Sequence, residues 1–505
     1  MKVEKDIFIE MRDGGKLAAN LFRPDKPGKF PVIMAFTIYG KDVMWSETFP
    51  GWRVAYTPYS PTMTGATAFE APDPNFWVPY DYVVILVDSR GFGRSPGQRF
   101  GLHRDPQDHY DAIEWAGTQE WSNGNVGMSG VSYLAVTQWY VAALKPPHLK
   151  AINPWEGFTD FSRDLVLKGG IPETEFFKNL QAALPPINPE LNQSLAKEEP
   201  PAPPPVLQDI TVPALICGTW SDHVLHTRGS FWAYQKISSK YKWLYTHGRQ
   251  KWAEYYSVEG QDIQKKFFDC FLKDIDTRIL DTPRVRLEVM ETIDRYTVRY
   301  ENGWPIARTQ YKKLYLDAKT GTLNFDKVRK EGKVSYNSAD GSAVFGITFD
   351  QDTELTGHMK LRLWVCPEEA QDMDLFITLR KFDADGNEVH FDSWAYPSTY
   401  PVALGWLRLS QRELDKKKST LWQPYLKHER EQKVDPGEIV PCEIEILPSS
   451  TLFRKGETLR LVISGKYQVG GKWMGYNLLV NEGKHSIYTG EEHDSYLLCP
   501  MVPPR

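Results

Sequence analysis

Cysteine is scarce and scattered, with five in 505 residues at positions 217, 270, 366, 442 and 499. The number is odd, there is no CxxC pair, and no Cys/His spacing suits zinc. Buried free thiols in a reducing cytoplasm are expected instead. Long apolar runs are missing too. No stretch approaches the roughly 20 residues of a membrane span, so no membrane partner is expected. The N-terminal MKVEKDIFIEMRDG is charged from the start and lacks the apolar centre of a signal peptide. Charge of one sign is absent as well: 60 Lys+Arg mix with 65 Asp+Glu for a net −5. Without a basic stripe a nucleic-acid partner is excluded. No internal repeat is visible.

What is present is an ordinary globular composition, 41% hydrophobic, with a high aromatic share of 13%. Such a chain can build large β-rich cores or an aromatic-lined pocket. In the first part, short strands alternate with helices. KLAANLFRP reads as an alternating strand; FPVIMAF and YVVILVD read as buried ones. A helix opened by Asp108 or His109 follows, then a turn into a short strand and the apolar helix YLAVTQWYVAALK. LKAINPW, PALICGTW and KWLYTHG are further short strands. This rhythm predicts an α/β fold with a parallel sheet over residues 1–155 and 209–282. Between 156 and 208 it breaks. FTDFSRDLVLKGG and ETEFFKNLQAAL look helical, and EEPPAPPPV follows, giving an expected helical cap insertion. From 283 to 505, alternating strands such as KLRLWVC and LRLVISGK predict an all-β sandwich, read as a jelly roll.

The chemistry concentrates at VGMSGVSYLAVTQWY. A nucleophilic serine on a strand–turn–helix junction needs small neighbours to bend the backbone and a helix N-terminus facing the developing charge. Ser132 occupies that junction. Its match to G-x-S-x-G is partial, because Gly130 fits but Leu134 fills the second glycine position. Ser129 is the competitor, expected in the strand wall. The triad order Ser, acid, His then selects Asp222 after PALICGTW and His247 after KWLYT. His223 and His226 are rivals near Asp222, read as surface or lid-contact side chains. The oxyanion donors would be the Tyr133 N–H and, from the loop FTIYGKD, the Tyr39 hydroxyl.

The chain resembles the cocaine-esterase-like hydrolases, which are related to X-prolyl dipeptidyl peptidases and α-amino-acid ester hydrolases. The matching blocks include MRDGGKLAANLFRP, FTIYGKD, DSRGFGRSPG, YDAIEWAGTQEWSNGNVGMSGVSYLAVTQ, PALICGTWSD and NEGKHSIYTGEEHDSYLL. The resemblance implies an α/β-hydrolase domain, an inserted helical cap and a C-terminal jelly roll. It also implies Ser132, Asp222 and His247 as triad and Tyr39 as a phenolic oxyanion donor. Three departures stand out: Ala135 where relatives usually have Gly, LeuTyrThr before His247, and a short cap. The acids Glu156, Asp160 and Glu173 look scattered, more like a solvated cap surface than an ammonium pocket.

The expected activity is hydrolysis of a small-molecule carboxylic ester or amide through an acyl-enzyme, without metal or cofactor. Alternatives are an X-prolyl dipeptidyl peptidase, an α-amino-acid ester hydrolase, a non-hydrolytic acyltransferase or cyclase, or a binding protein that kept the fold. Trp155, Phe158 and Trp220, with Trp52, Phe176 and Phe177, are candidate substrate-contacting aromatics. Oligomeric state is left open, with the jelly roll as the candidate surface for a homodimer. DSRGFGRSPG lacks the third glycine of a dinucleotide fingerprint and reads as a loop with an Asp88–Arg90 pair. GEEHDSY reads as a tie for the last strand.

Overall fold

The computed structural model describes residues 1–45, 63–99, 101–176, 178–179, 202–394, 400–469 and 473–504. Trp52 and Phe177 lie outside the described residues, as do 180–201, which hold the rest of the second expected cap helix and the start of the Pro-rich stretch. The chain divides into two compact units. The first comprises Met1–Phe161, Phe177–Thr219 and Leu225–Arg286; the second comprises Ser162–Phe176, Trp220–Val224 and Leu287–Arg505.

Among the described residues the first unit is built on nine strands: β1 Lys2–Glu10, β2 Lys16–Arg23, β3 Phe30–Thr37, β4 Val83–Asp88, β5 Ser122–Val131, β6 Leu149–Trp155, β7 Ala214–Thr219, β8 Lys242–His247 and the start of β9 Val285–Met290. Hydrogen bonding sets the order β1-β2-β4-β3-β5-β6-β7-β8-β9. Only β1–β2 and β2–β4 are antiparallel; every later pairing is parallel. Uninterrupted apolar sequence in β3 and β4 fits this placement, since both faces of a parallel sheet are covered. The alternation expected in KLAANLFRP is not what the fold uses. Leu17 to Phe22 are buried on both faces, because β2 is an inner strand between β1 and β4.

Among the described residues, helices of this unit include α1 Asp105–Gly117, α2 Tyr133–Ala142, α3 Thr227–Lys236, α4 Lys251–Tyr255 and α5 Val258–Lys273, besides a short turn at Pro74–Trp77. Helix α1 begins at Asp105, earlier than Asp108 or His109. Pro106 sits in its first turn, where a missing N–H costs nothing. The segment FTDFSRDLVLKGG is not an α-helix. It makes one π turn at Ser162–Val166 and then a hairpin of Leu167–Lys168 with Ile171–Pro172, turned by Gly169 and Gly170. By its contacts, Ser162–Phe176 belongs with the second unit.

That second unit is β-rich and largely antiparallel. Thr353–Pro367 pairs with Val440–Phe453, Lys484–Thr489 and Tyr496–Val502. Asp374–Phe382 pairs with Ala403–Arg408 and Thr458–Ser464. In the GEEHDSY segment, His493 Nδ1 meets Glu331 Oε1 at 3.0 Å. All five cysteines carry free thiols, and four are buried. Among the described residues no helix is long and apolar enough to cross a membrane.

The expected Asp88–Arg90 pair is replaced by a different arrangement. Asp88 accepts the backbone N–H groups of Lys41 at 2.6 Å and Arg94 at 2.9 Å, which fixes the loop after β3. Arg90 instead forks onto Asp108, with Nε at 2.7 Å and Nη2 at 2.6 Å, and reaches Asp13 at 3.0 Å. Both Arg90 and Asp108 are buried. Removing one partner of such a pair strands a buried charge. Arg90→Ala should therefore cost the first unit about 3–5 kcal/mol, read as a lower urea midpoint by tryptophan fluorescence.

Candidate active site

The turn between β5 and α2 holds Ser132 at φ 58° and ψ −119°, a left-handed backbone that a serine rarely adopts. Two hydrogen bonds pin it. The Val131 N–H donates to the Glu70 carbonyl at 3.0 Å, and the Ser132 N–H donates to the Trp155 carbonyl at 3.1 Å. Gly130, at φ 152°, makes the approach possible: a Cβ there would lie 2.6 Å from the Leu134 Cβ. Leu134 thus fills the place of a second glycine because its bulk lies over a glycine two residues before the serine. Ala135 is accommodated in a similar way. A Cβ on Gly157 would come within 2.9 Å of the Ala135 Cβ, so the methyl group at 135 occupies space that residue 157 leaves open. Ser129 stays in the wall, buried, with its hydroxyl 3.0 Å from Asn153 Oδ1 and 2.8 Å from the Tyr255 hydroxyl.

The imidazole at the Ser132 hydroxyl belongs to His226, with Nε2 3.2 Å from Oγ. This corrects the expectation for His247. The structure engages both nitrogens of that ring elsewhere: Nε2 lies 2.9 Å from Glu156 Oε1, and Nδ1 accepts the Arg249 N–H at 3.2 Å. His247 is fully buried, and that burial lowers its pKa to about 3, so the ring is neutral. His226 precedes α3, on the loop that follows β7, and its ring is stacked at 8° on Phe158 with centroids 6.1 Å apart. His226 and His223 are buried, not surface side chains. His223 belongs to the second unit, where Nε2 contacts the Pro448 carbonyl at 3.0 Å and burial lowers its pKa to about 4. Asp222 is also fully buried, in the Trp220–Val224 loop that groups with the second unit.

Glu156 was not legible as a site residue. It directly follows β6, at φ 54°, and is fully buried instead of lying on a solvated surface. Its carboxylate meets His247 and also comes within 4.8 Å of a ring nitrogen of His226. Its position at the carboxyl end of a central parallel strand is the signal that could have found it. Glu173, by contrast, is spent on the backbone N–H groups of Glu175, Phe176 and Gly475. Glu156, Cys217 and His247 each bring a potential ligand atom within 4.8 Å of the others. Burial pushes the Cys217 thiol well above its ordinary pKa.

On the other side of Ser132 stand Tyr39 and Glu70. Burial drives the pKa of the Tyr39 hydroxyl well up, keeping it an O–H donor. Its backbone is held by Thr37 Oγ1 at 3.0 Å and its ring by an edge contact with Phe69 at 4.9 Å. Tyr133 is the first residue of α2, where the N–H has no carbonyl one turn earlier to bond. Its phenol turns away to Asp105 Oδ2 at 3.3 Å, and burial raises the pKa of that acid to about 8. Of the proposed substrate aromatics, Phe158 lies against His226. Trp155 is a core ring packed on Tyr245 and Tyr255, and Trp220 lies in the second unit with its indole N–H on the Glu288 carbonyl at 2.9 Å.

Comparison with known proteins agrees with this architecture. The X-Pro dipeptidyl-peptidase (S15 family) matches residues 13–199, and the X-Pro dipeptidyl-peptidase C-terminal non-catalytic domain matches residues 277–498. Cocaine esterase of Rhodococcus sp. (strain MB1 Bresler) is 26% identical, over 99% of this chain and 98% of its own. The crystal structure of a CocE/NonD family hydrolase from Staphylococcus aureus is 43% identical with a TM-score of 0.93, covering 99% of this chain and 93% of that one. An α-amino-acid ester hydrolase at 16% identity shares the fold, with a TM-score of 0.68 over 99% of this chain and 96% of its own. An α/β-hydrolase domain joined to a β-rich C-terminal domain therefore defines the class. Within it, the chain belongs to the CocE/NonD family of hydrolases.

The contact between residues 135 and 157 gives a direct test of how the elbow is packed. Gly157→Ala should destabilise the protein by about 1–3 kcal/mol through overpacking. Ala135→Gly in the same chain should restore part of that loss, measured as a coupling energy in a double-mutant unfolding cycle.

Proposed function

We propose that this protein is a serine hydrolase that cleaves a carboxylic ester or amide bond through an acyl-enzyme. One observation carries the reading: the Ser132 hydroxyl stands on a strained strand–helix turn, 3.2 Å from the ring nitrogen of a buried histidine. His226 takes the serine proton as the oxygen attacks the substrate carbonyl, then returns it to the leaving group. The Tyr133 N–H and the Tyr39 hydroxyl hold the oxyanion. Water, deprotonated by the same ring, releases the acid. Asp222, four residues before His226, is proposed as the acid that orients the imidazole. Glu156, whose carboxylate comes within 4.8 Å of the same ring, is the second candidate. The matched family names keep both esters and peptide-like amides within the substrate class.

The β-rich unit is proposed to be a jelly roll, and the protein to act on small molecules in the cytoplasm, with a second copy of the chain as its partner. The antiparallel pairings of the second unit support the first of these.

Exchange of the two histidines separates the assignments. Ser132→Ala and His226→Gln should each lower kcat on a p-nitrophenyl ester by about 10⁴ or more, with fluorophosphonate labelling lost in Ser132→Ala. His247→Gln should lower it far less in protein that keeps its circular dichroism. The reverse ranking would return the base to His247. Between Asp222→Asn and Glu156→Gln, the larger fall in kcat identifies the orienting acid.

A further inference from the structure

Two residues beyond Tyr39, in the loop after β3, the Lys41 side chain is fully buried. Its Nζ donates to Asp42 Oδ2 at 2.6 Å and to Asp6 Oδ1 at 2.7 Å, and it stands 3.9 Å from Asp88 Oδ2. The Lys41 N–H donates to the other oxygen of Asp88 at 2.6 Å, so this acid faces the residue at both backbone and side chain. Asn20 of β2 ties the cage together: its Nδ2 donates to Asp42 Oδ1 at 2.9 Å and its Oδ1 accepts the Asp6 N–H at 3.2 Å. Asp6 sits at φ 55° where the pairing of β1 with β2 slips between Glu4 and Ile7, a bulge that turns its side chain towards the lysine. At the rim, Arg94 Nη1 lies 3.2 Å from Asp6 Oδ2 and Lys5 Nζ 3.5 Å from Asp42 Oδ1.

Burying an ammonium is costly, and an ion cage adds little stability over apolar packing of the same volume. What it supplies is direction, because every hydrogen bond in it fixes an angle as well as a distance. We propose that Lys41 is a positioning residue for the oxyanion donor: its carboxylate cage clamps the loop after β3 and thereby sets where the Tyr39 hydroxyl stands. Burial works against the lysine charge, but the hydrogen bonds to Asp42 and Asp6 outweigh it and raise the pKa, so the cation that the cage needs persists.

The path from cage to elbow is short and continuous. Tyr39 is anchored on both flanks, by Thr37 Oγ1 on its own N–H and by Asp88 on the N–H of Lys41. Thr37 is tied to the same neighbourhood, since its carbonyl accepts the Ser89 N–H at 2.9 Å. Gly40 between them takes φ 106°, and its carbonyl accepts the Val43 N–H at 3.0 Å, which closes the turn. The Val43 carbonyl accepts the Phe69 N–H at 3.0 Å, Phe69 holds the Tyr39 ring edge-on, and the next carbonyl, that of Glu70, accepts the Val131 N–H of the elbow. A clamp on Lys41 therefore acts on the phenol and the serine turn through one run of hydrogen bonds, without touching substrate.

The inference rests on Tyr39 being an oxyanion donor, and a double-mutant cycle in kcat and KM on a p-nitrophenyl ester separates the two. Lys41→Met in the full chain should lower kcat by about 10–10² with KM little changed, the cost of a donor displaced by a fraction of an ångström. Tyr39→Phe should lower kcat by about 10²–10³. In the Tyr39→Phe background, Lys41→Met should add almost no further loss, because the group it positions is already gone. An equal fall in both backgrounds, a wild-type kcat in Lys41→Met, or a change confined to KM overturns the role of Lys41 while leaving the oxyanion assignment standing. Full activity in Tyr39→Phe overturns that assignment, and the inference with it. If Lys41→Met does not fold, Asp42→Asn decides, since it loosens the cage from its half-open side and keeps the lysine. It should lower kcat by less than Lys41→Met would, and only where Tyr39 is intact; no loss, or the same loss in Tyr39→Phe, overturns the proposal.

Discussion

The left-handed backbone of Ser132 is the constraint around which the first unit is arranged. A serine with positive φ is unfavourable on its own and persists only where neighbours over-determine it. Here the neighbours come from three parts of the chain: the Glu70 carbonyl from the segment before Pro74, the Trp155 carbonyl from the end of β6, and Leu134 from α2 over Gly130. Each of these contacts also delivers chemistry. Fixing residue 70 places a buried acid beside the elbow, and fixing residue 155 places Glu156 next in line. The hydrogen bonds that hold the turn are thus the same ones that assemble its surroundings.

The result is a serine with two unlike sides. One side holds histidine and carboxylate, the groups needed to accept a proton. The other holds phenol and the first amide of a helix, the groups needed to receive negative charge. Burial keeps the Tyr39 phenol protonated and the His247 ring neutral, whereas Glu70 is left near its midpoint. Desolvation is the largest influence on all three.

Much of this fold could be read from the chain because its signals are local. Apolar runs at 30–36 and 82–87, a Gly–Ser turn before an apolar helix, and alternating strands beyond 283 each carry their own period. The nucleophile was legible for the same reason, since Gly130, Ser132 and the start of α2 are neighbours in sequence. The choice between His226 and His247 was not. His247 ends one strand and His226 follows its parallel neighbour, and only the three-dimensional path of the loop after β7 brings one ring, not the other, to the hydroxyl. Glu70 and Glu156 were hidden similarly, because their importance comes from backbone contacts with residues 131 and 217. The segment after Phe161 misled for a different reason. Its apolar spacing suits a helix, but the Gly–Gly pair breaks it and its partners lie in the second unit.

The methyl group of Ala135 and the bare Cα of Gly157 share one small volume, contributed from two separate stretches of chain. Changing either residue alone leaves that volume crowded or hollow. Removing the methyl group at 135 would relieve only part of that crowding, since the backbone of residues 135 and 136 also lies within 3.1 Å of a Cβ at 157.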